Sequence, residues 1–340
     1  MARCIALAKN GLGTTYPNPM VGSVIVYNDK IIGEGWHKKS GEPHAEVIAI
    51  SSVKNKELLT KSTLYVSLEP CSHFGKTPPC SDLIIKENIP NIVIGTIDTH
   101  SKVSGKGIQK LINANRNIVV GVLEKECKEV NKRFFTFHNK NLPYIILKWA
   151  QSIDGYIAPL HKQEQIPIWL SNKLSRQLVH KWRSEEPAIL VGTNTVLDDN
   201  PMLNVRDFAG NNPTRIVLDK NGKISNEYFV KDNTIKTIII TEEENNNNAT
   251  NCIYENCIFD DLLSERICNI LFKHNLQSVI IEGGSQTLQT FITANLWNEA
   301  RIFYSDIKLT NGIKAPEINT KNAKTYNIKN NQLKIVQNYD

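Results

Sequence analysis

Short β-branched runs alternate with stretches of helical spacing along most of the chain. GSVIVY (22–27) and KIIGEGW (30–36) flank Asn28-Asp29 and predict a hairpin. HAEVIAISSV (44–53) has helical spacing, with Glu42 and Pro43 just ahead of its start. TLYVSL (63–68) predicts a strand and SDLIIKEN (81–88) a helix, followed by strands at NIVIGT (91–96) and NIVVGV (117–122). EKECKEVNKRFFTFHNK (124–140) predicts one closing amphipathic helix. Strands separated by helices imply a three-layer α/β domain.

NKNLP (139–143) is polar, ends in Pro and reads as a linker. It places one domain over 1–142 and a second over 143–340. A fresh α/β pattern follows: YIILKWA (144–150), the helical SNKLSRQLVHKWRSEE (171–186), then AILVG, TRIVLD and TIIIT. EEENNNN (242–248) reads as an exposed loop. Beyond it come a helix at LLSERICNILFKHN (262–275) and the strand SVIIE (278–282), which meets Gly283-Gly284 and another helix.

The 340 residues suit two domains, and 41% hydrophobic with 22% charged residues excludes disorder, collagen and a coiled coil. No apolar run approaches the roughly 18 residues of a membrane span. MARCIALAKNG is too short in apolar length for a signal peptide, so a cytoplasmic location is expected. The net charge of +6 is uneven: 19 basic and 12 acidic residues precede Pro143, against 21 and 22 afterwards. A basic first half suits nucleic acid or an anionic small substrate. The seven Cys (4, 71, 80, 127, 252, 257, 268) are odd in number and irregular in spacing, which argues against a disulfide framework and for metal binding or free thiols.

The chemistry concentrates at His44-Ala45-Glu46, Pro70-Cys71 and Cys80. One imidazole and two thiols make three zinc ligands, and a catalytic zinc keeps its fourth position open. Bound zinc lowers the pKa of water to about 7. Glu46, two residues from His44, is placed to shuttle protons without binding metal. Cys80 begins a predicted helix, whose N-terminal dipole favours thiolate. A structural zinc with His73 as a fourth ligand is the rival reading.

His-x-Glu followed by Pro-Cys and a second Cys resembles the zinc-dependent deaminase signature. Eight residues separate Cys71 from Cys80, where nucleic-acid deaminases usually have two. The long form, EPCSHFGKTPPC, resembles the deaminases of riboflavin biosynthesis, as do PNPMVGSVIV (17–26) and GEGWHKKSGEPHAE (33–46). The resemblance implies a cytidine-deaminase-like domain acting on a diaminopyrimidinone that carries a ribosylamino 5-phosphate. It makes His44, Cys71 and Cys80 the zinc ligands, Glu46 the proton shuttle and Asn18 a contact to the pyrimidine edge. His73 and Lys76 become phosphate or ribose contacts.

The second domain lacks G-x-G-x-x-G. SVIIEGGSQTL (278–288) instead combines a strand, two Gly and a helix start, a local arrangement that can hold phosphate. LKWAQSIDGYIA (147–158), the run from Trp169 to Arg206 and this Gly-Gly turn together resemble the reductases of the same pathway. That resemblance implies a dihydrofolate-reductase-like domain using NADPH. Its cofactor side would comprise Ala150, Trp169, Thr195, Asp199 and Gly284, Ser285, Gln286, Thr287, Leu288, Gln289 and Thr290. Its substrate side would comprise Arg183, Leu203, Arg206 and Glu282, with the two arginines suited to the 5-phosphate. Lys148 and Asp154 are open between orienting the sugar and a structural pair or turn. The stretch 156–168 departs from the resemblance, with Pro167 where a substrate-contacting Ser would be.

The expectation is a bifunctional zinc deaminase and NADPH reductase with a small phosphorylated pyrimidine substrate, without nucleic-acid or membrane partners. Exposed strand edges in the second domain favour a homo-oligomer. A deaminase of a nucleic-acid base and a zinc-stabilised nucleic-acid-binding module are the alternatives that the basic first half leaves open.

Overall fold

The computed structural model describes residues 1–72, 78–99, 105–160, 168–244 and 250–338. The chain forms two compact units, Met1–Asn141 and Leu142–Asp340. Among the described residues, no helix is long and apolar enough to cross a membrane.

The first unit is built on strands β1 (Gly22–Tyr27), β2 (Lys30–Trp36), β3 (Thr63–Leu68), β4 (Asn91–Thr96) and β5 (Asn117–Val120). They lie in the order β2-β1-β3-β4-β5. The first two neighbour pairs are antiparallel and the last two parallel. Asn28 and Asp29 both have left-handed φ, 47° and 56°, as the tightest hairpin turn requires. Helices α1 (Ala2–Ala8), α2 (Ala45–Ser52), α3 (Cys80–Lys86), α4 (Lys106–Asn113), α5 (Glu124–Val130) and α6 (Lys132–Lys140) complete it. Ile25, Leu64, Val66, Ile92 and Ile94 bury one sheet face with Ala49, Ile50, Ile84 and Leu111 of the helices. Val24 packs with Cys4 and Leu7 in a separate cluster. The alternation of β1 thus divides between two cores.

The closing amphipathic segment is two helices rather than one. Asn131, with φ −101° and ψ 21°, separates them. Its side-chain oxygen accepts the Met20 N–H and its amide donates to the Met20 carbonyl, both at 2.8 Å. A buried side chain committed to distant backbone makes this residue a corner, which helical periodicity does not encode.

The second unit carries β6 (Tyr144–Gln151), β7 (Tyr156–Ala158), β8 (Ala188–Gly192), β9 (Thr214–Leu218), β10 (Thr237–Thr241), β11 (Cys252–Asn256), β12 (Ser278–Ile281), β13 (Glu299–Ser305), β14 (Ile313–Lys314), β15 (Lys324–Ile328) and β16 (Asn331–Gln337). Nine form one sheet, in the order β11-β10-β9-β8-β12-β6-β13-β16-β15. Neighbours from β11 to β13 are parallel, whereas β16 is antiparallel to both β13 and β15. β7 and β14 pair separately. Helices α7 (Lys173–Glu185), α8 (Thr193–Asp199), α9 (Leu263–Lys273) and α10 (Ser285–Thr293) connect the strands.

The central strands are buried on both faces, as parallel strands covered by helices must be. Ile145, Leu147, Ile238, Ile240, Val279 and Ile281 enter the larger core with α9 and α10. Ile146 and Ile280 face a second core with Trp182 and Phe303, and Ile239 and Val217 a third. Since β12 returns between β8 and β6, the carboxyl ends of these strands frame the crevice at which open α/β sheets bind ligands.

Candidate active sites

In the first unit a strand end and two helix starts converge. His44 is the residue before α2, Cys71 follows β3 by three residues, and Cys80 opens α3. The His44 Nδ1 atom lies 3.5 Å from Cys71 Sγ and 3.3 Å from Cys80 Sγ. The three donor atoms all fall within 4.8 Å of one another. Zinc bonds of about 2.0 Å to nitrogen and 2.3 Å to sulfur give a tetrahedral N···S edge of about 3.5 Å. The donor set therefore fits zinc in both chemistry and spacing. The Cys80 N–H donates to Cys71 Sγ at 3.3 Å, holding the second thiol against the first.

Hydrogen bonding from Cys80 is the main reason the Cys71 thiol is pulled down to about 4; Cys80, the donor, is pushed up. Glu46 is buried in the first turn of α2. Burial first, then the neighbouring Cys71, pushes its carboxyl up to about 7. A carboxyl that is buried beside the donors and near neutrality in affinity is equipped to move a proton.

Two further residues around this cluster lie inside the quoted motifs, where no role was given to them. Buried His37 stands edge-on to His44, ring centroids 5.3 Å apart. Its Nδ1 is 3.2 Å from the Pro43 carbonyl, which can only accept, so that nitrogen carries the proton. Nε2 then accepts from Asn18 Nδ2 at 3.1 Å, which orients the amide assigned to the pyrimidine edge. Glu69, buried at the end of β3, accepts the N–H groups of Gly105 at 3.0 Å and Gly107 at 2.9 Å. It ties the start of α4 to the segment that delivers Cys71. His73 and Lys76 lie outside the described residues, as does Pro167.

In the second unit a cavity of about 850 Å³ opens at the carboxyl ends of β6, β8 and β12. It brings together Ala150, Trp169, Thr195, Asp199, Gly284, Ser285, Gln286, Thr287, Leu288 and Thr290 of the expected cofactor set. Arg183, Leu203, Arg206 and Glu282 of the expected substrate set also line it. Gln289 does not: its Oε1 accepts the Glu317 N–H at 2.9 Å instead. One residue off the cavity stripe on α10, it faces a neighbouring segment.

Arg183 and Glu282 form a two-point ion pair at 2.8 and 2.7 Å, and Lys148 Nζ reaches the same carboxylate at 3.4 Å. Lys148 thus forms an ion pair with Glu282 and lines the same cavity. Arg206 is exposed and, among the described residues, its side chain holds one bond, to Asn204 Oδ1 at 2.9 Å, so its guanidinium keeps donors for an anion. Leu203 is buried with φ 52°, a left-handed conformation uncommon for a branched residue, at a position the resemblance gives to substrate. The cavity adds Arg176 and His180. Arg176 stacks on Trp169 at 4.7 Å, and His180 Nε2 lies 3.5 Å from Asp207 Oδ2. Residues 176, 180 and 183 follow helical spacing on α7, a periodicity legible in the sequence.

Residues 143–312 match the RibD C-terminal domain, and residues 1–96 match the cytidine and deoxycytidylate deaminase zinc-binding region. The riboflavin biosynthesis protein RibD of Aquifex aeolicus is 40% identical over 308 residues, covering 89% of this chain and 85% of that protein. The chain belongs to the RibD family. RibD of Synechocystis sp. is 34% identical, over 93% of this chain and 86% of its own. Among solved structures, a Thermotoga maritima diaminohydroxyphosphoribosylaminopyrimidine deaminase/5-amino-6-(5-phosphoribosylamino)uracil reductase is 37% identical with a TM-score of 0.87, covering 99% of this chain and 97% of that one. The chain is thus an enzyme of riboflavin biosynthesis, with a cytidine-deaminase-like zinc-site unit followed by a RibD reductase unit. The nucleic-acid readings that the basic first half left open are not favoured.

Proposed function

We propose that the first unit removes the amino group at pyrimidine C2 of a diaminopyrimidinone ribosylamino 5-phosphate, and that the second reduces the ribosyl group of the product to ribityl with NADPH. The observation that carries this reading is the placement of His44 Nδ1 between two thiols beside buried Glu46, on a chain that also holds the RibD reductase cavity.

His44, Cys71 and Cys80 hold zinc, which when bound lowers the pKa of water to about 7. Glu46 takes a proton from the attacking water and passes it to the departing amino nitrogen. The new bond is C2–O, the broken one C2–N, and ammonia leaves. Asn18, oriented by His37, reads the pyrimidine edge.

In the second unit the backbone N–H groups at the start of α10 suit the cofactor's phosphates, and Thr195 and Asp199 lie across the same cavity. When bound, NADPH supplies hydride. The chain's own groups position ribose C1 to receive it while the C1–ring-oxygen bond opens and the oxygen takes a proton. Arg206 holds the 5-phosphate, and the Arg183–Glu282 pair presents a fixed polar edge to the sugar. A cytoplasmic homo-oligomer is part of the same proposal, the long sheet of the second unit ending in β11 and β15.

Mass spectrometry on the zinc-loaded protein mixed with the diaminopyrimidinone ribosyl phosphate tests both steps. Deamination without NADPH, then a gain of two hydrogens when it is added, is the expected result. Unchanged substrate in both mixtures would overturn the assignment.

A further inference from the structure

Asp154 follows β6 by three residues, and its carboxylate reaches across the sequence rather than into the cavity. Oδ1 accepts the Ser152 hydroxyl at 2.6 Å and the Leu309 N–H at 3.2 Å, while Oδ2 accepts the Thr310 N–H at 2.7 Å. Thr310 has φ 63°, so the chain bends where it is gripped. The segment beyond, Leu309 to Glu317, forms a strap. Its β14 pairs with β7, Ile313 opposite Ala158, and Gly312 passes so close that a Cβ there would lie 2.3 Å from the Ala158 carbonyl oxygen. The Ala315 N–H donates to Gly155 O at 2.9 Å.

The far end of the strap is fastened to α10. Ser285 Oγ donates to the Lys314 carbonyl at 2.7 Å, and Gln289 Oε1 accepts from the Glu317 N–H at 2.9 Å. Two side chains one turn apart are therefore spent on strap backbone, and Ile313 of the strap lines the same cavity as Ser285.

We infer that Asp154 is a positioning residue for the cofactor: by clamping Leu309 and Thr310 it sets the strap, which in turn fixes the first turn of α10 for a dinucleotide phosphate. The inference rests on the proposed NADPH site. Its consequence is selective, because the strap does not include Arg183, Arg206 or Glu282. Loosening it weakens cofactor binding and leaves the affinity for the phosphorylated sugar in place.

The experiment is direct titration of the full chain with NADPH by protein fluorescence, alongside KM for each reductase substrate. Asp154→Asn keeps the side-chain shape but loses the charge-assisted bonds, and Gly312→Ala dislodges the strap at a separate point without touching any proposed contact. Both raise the Kd for NADPH about tenfold, the effect of losing about 1.4 kcal/mol. Asp154→Glu restores part of the loss. The sugar-phosphate KM and the deaminase rate stay within about twofold, a split that general unfolding would not produce. NADPH affinity unchanged in both variants overturns the role of Asp154 alone, as does equal weakening of both reductase substrates. Failure of the unaltered chain to bind NADPH overturns the cofactor site and this inference with it.

Discussion

Arg183 and Glu282 face each other through two hydrogen bonds, Nε to Oε1 at 2.8 Å and Nη2 to Oε2 at 2.7 Å, at the wall of the reductase cavity. Both are largely buried, with side-chain exposures of 12% and 7%. Taking both charges out of water carries a desolvation cost, which the two-point geometry and the nearby Lys148 offset.

Burial alone would raise the Glu282 carboxyl, but Arg183 and Lys148 overcome it and hold it down at about 2, against 4.5 for an ordinary glutamate. A depressed folded-state value stabilises the fold above pH 4.5, and that contribution is lost as pH falls from 4.5 toward 2. The linked loss is roughly 3 kcal/mol. Glu282→Gln is expected to be less stable at pH 7, because Arg183 and Lys148 lose their counter-charge, yet to show a flatter decline below pH 4.5. Urea unfolding of the second unit between pH 7 and pH 3, for both proteins, measures this.

Glu46→Gln removes the proposed proton shuttle and none of the three candidate zinc donors. Zinc content should remain unchanged while deamination falls by a factor of about 10² to 10⁴. Reduction of the already deaminated compound should proceed as before. Metal analysis combined with separate assays of the two steps decides it; a variant that deaminates at the unaltered rate would remove Glu46 from its role.

Arg206 is exposed and makes one side-chain bond among the described residues, so Arg206→Ala should leave the melting temperature nearly unchanged. Losing a charged contact of about 1.5–3 kcal/mol raises KM for the sugar phosphate roughly 10- to 100-fold. KM for NADPH should move far less. Equal loss on both substrates would show that Arg206 does not hold the phosphate.

Much of this was legible in one dimension. The hairpin at Asn28-Asp29 appears where the turn chemistry put it, and the strands at 63–68, 91–96, 188–192 and 237–241 keep their full predicted spans. Two of the helical starts, at 80 and 285, coincide with predicted site residues, and α2 begins one residue after His44. The run 124–140 shows the limit: its periodicity continues through Asn131, whose side chain bonds Met20, 111 residues away, where the helix breaks.

The sequence by itself determined which segments alternate and which side chains have the chemistry for zinc, because period, turn residues and donor type are local properties. The tertiary structure decided who meets whom. Lys148 finds Glu282 from 134 residues away, and Asp154 finds Thr310 from 156. Gln289 turns from the cavity to Glu317 for the same reason. Parallel strands joined by long crossovers bring distant segments into register, and no local pattern records the partner that such a crossover supplies.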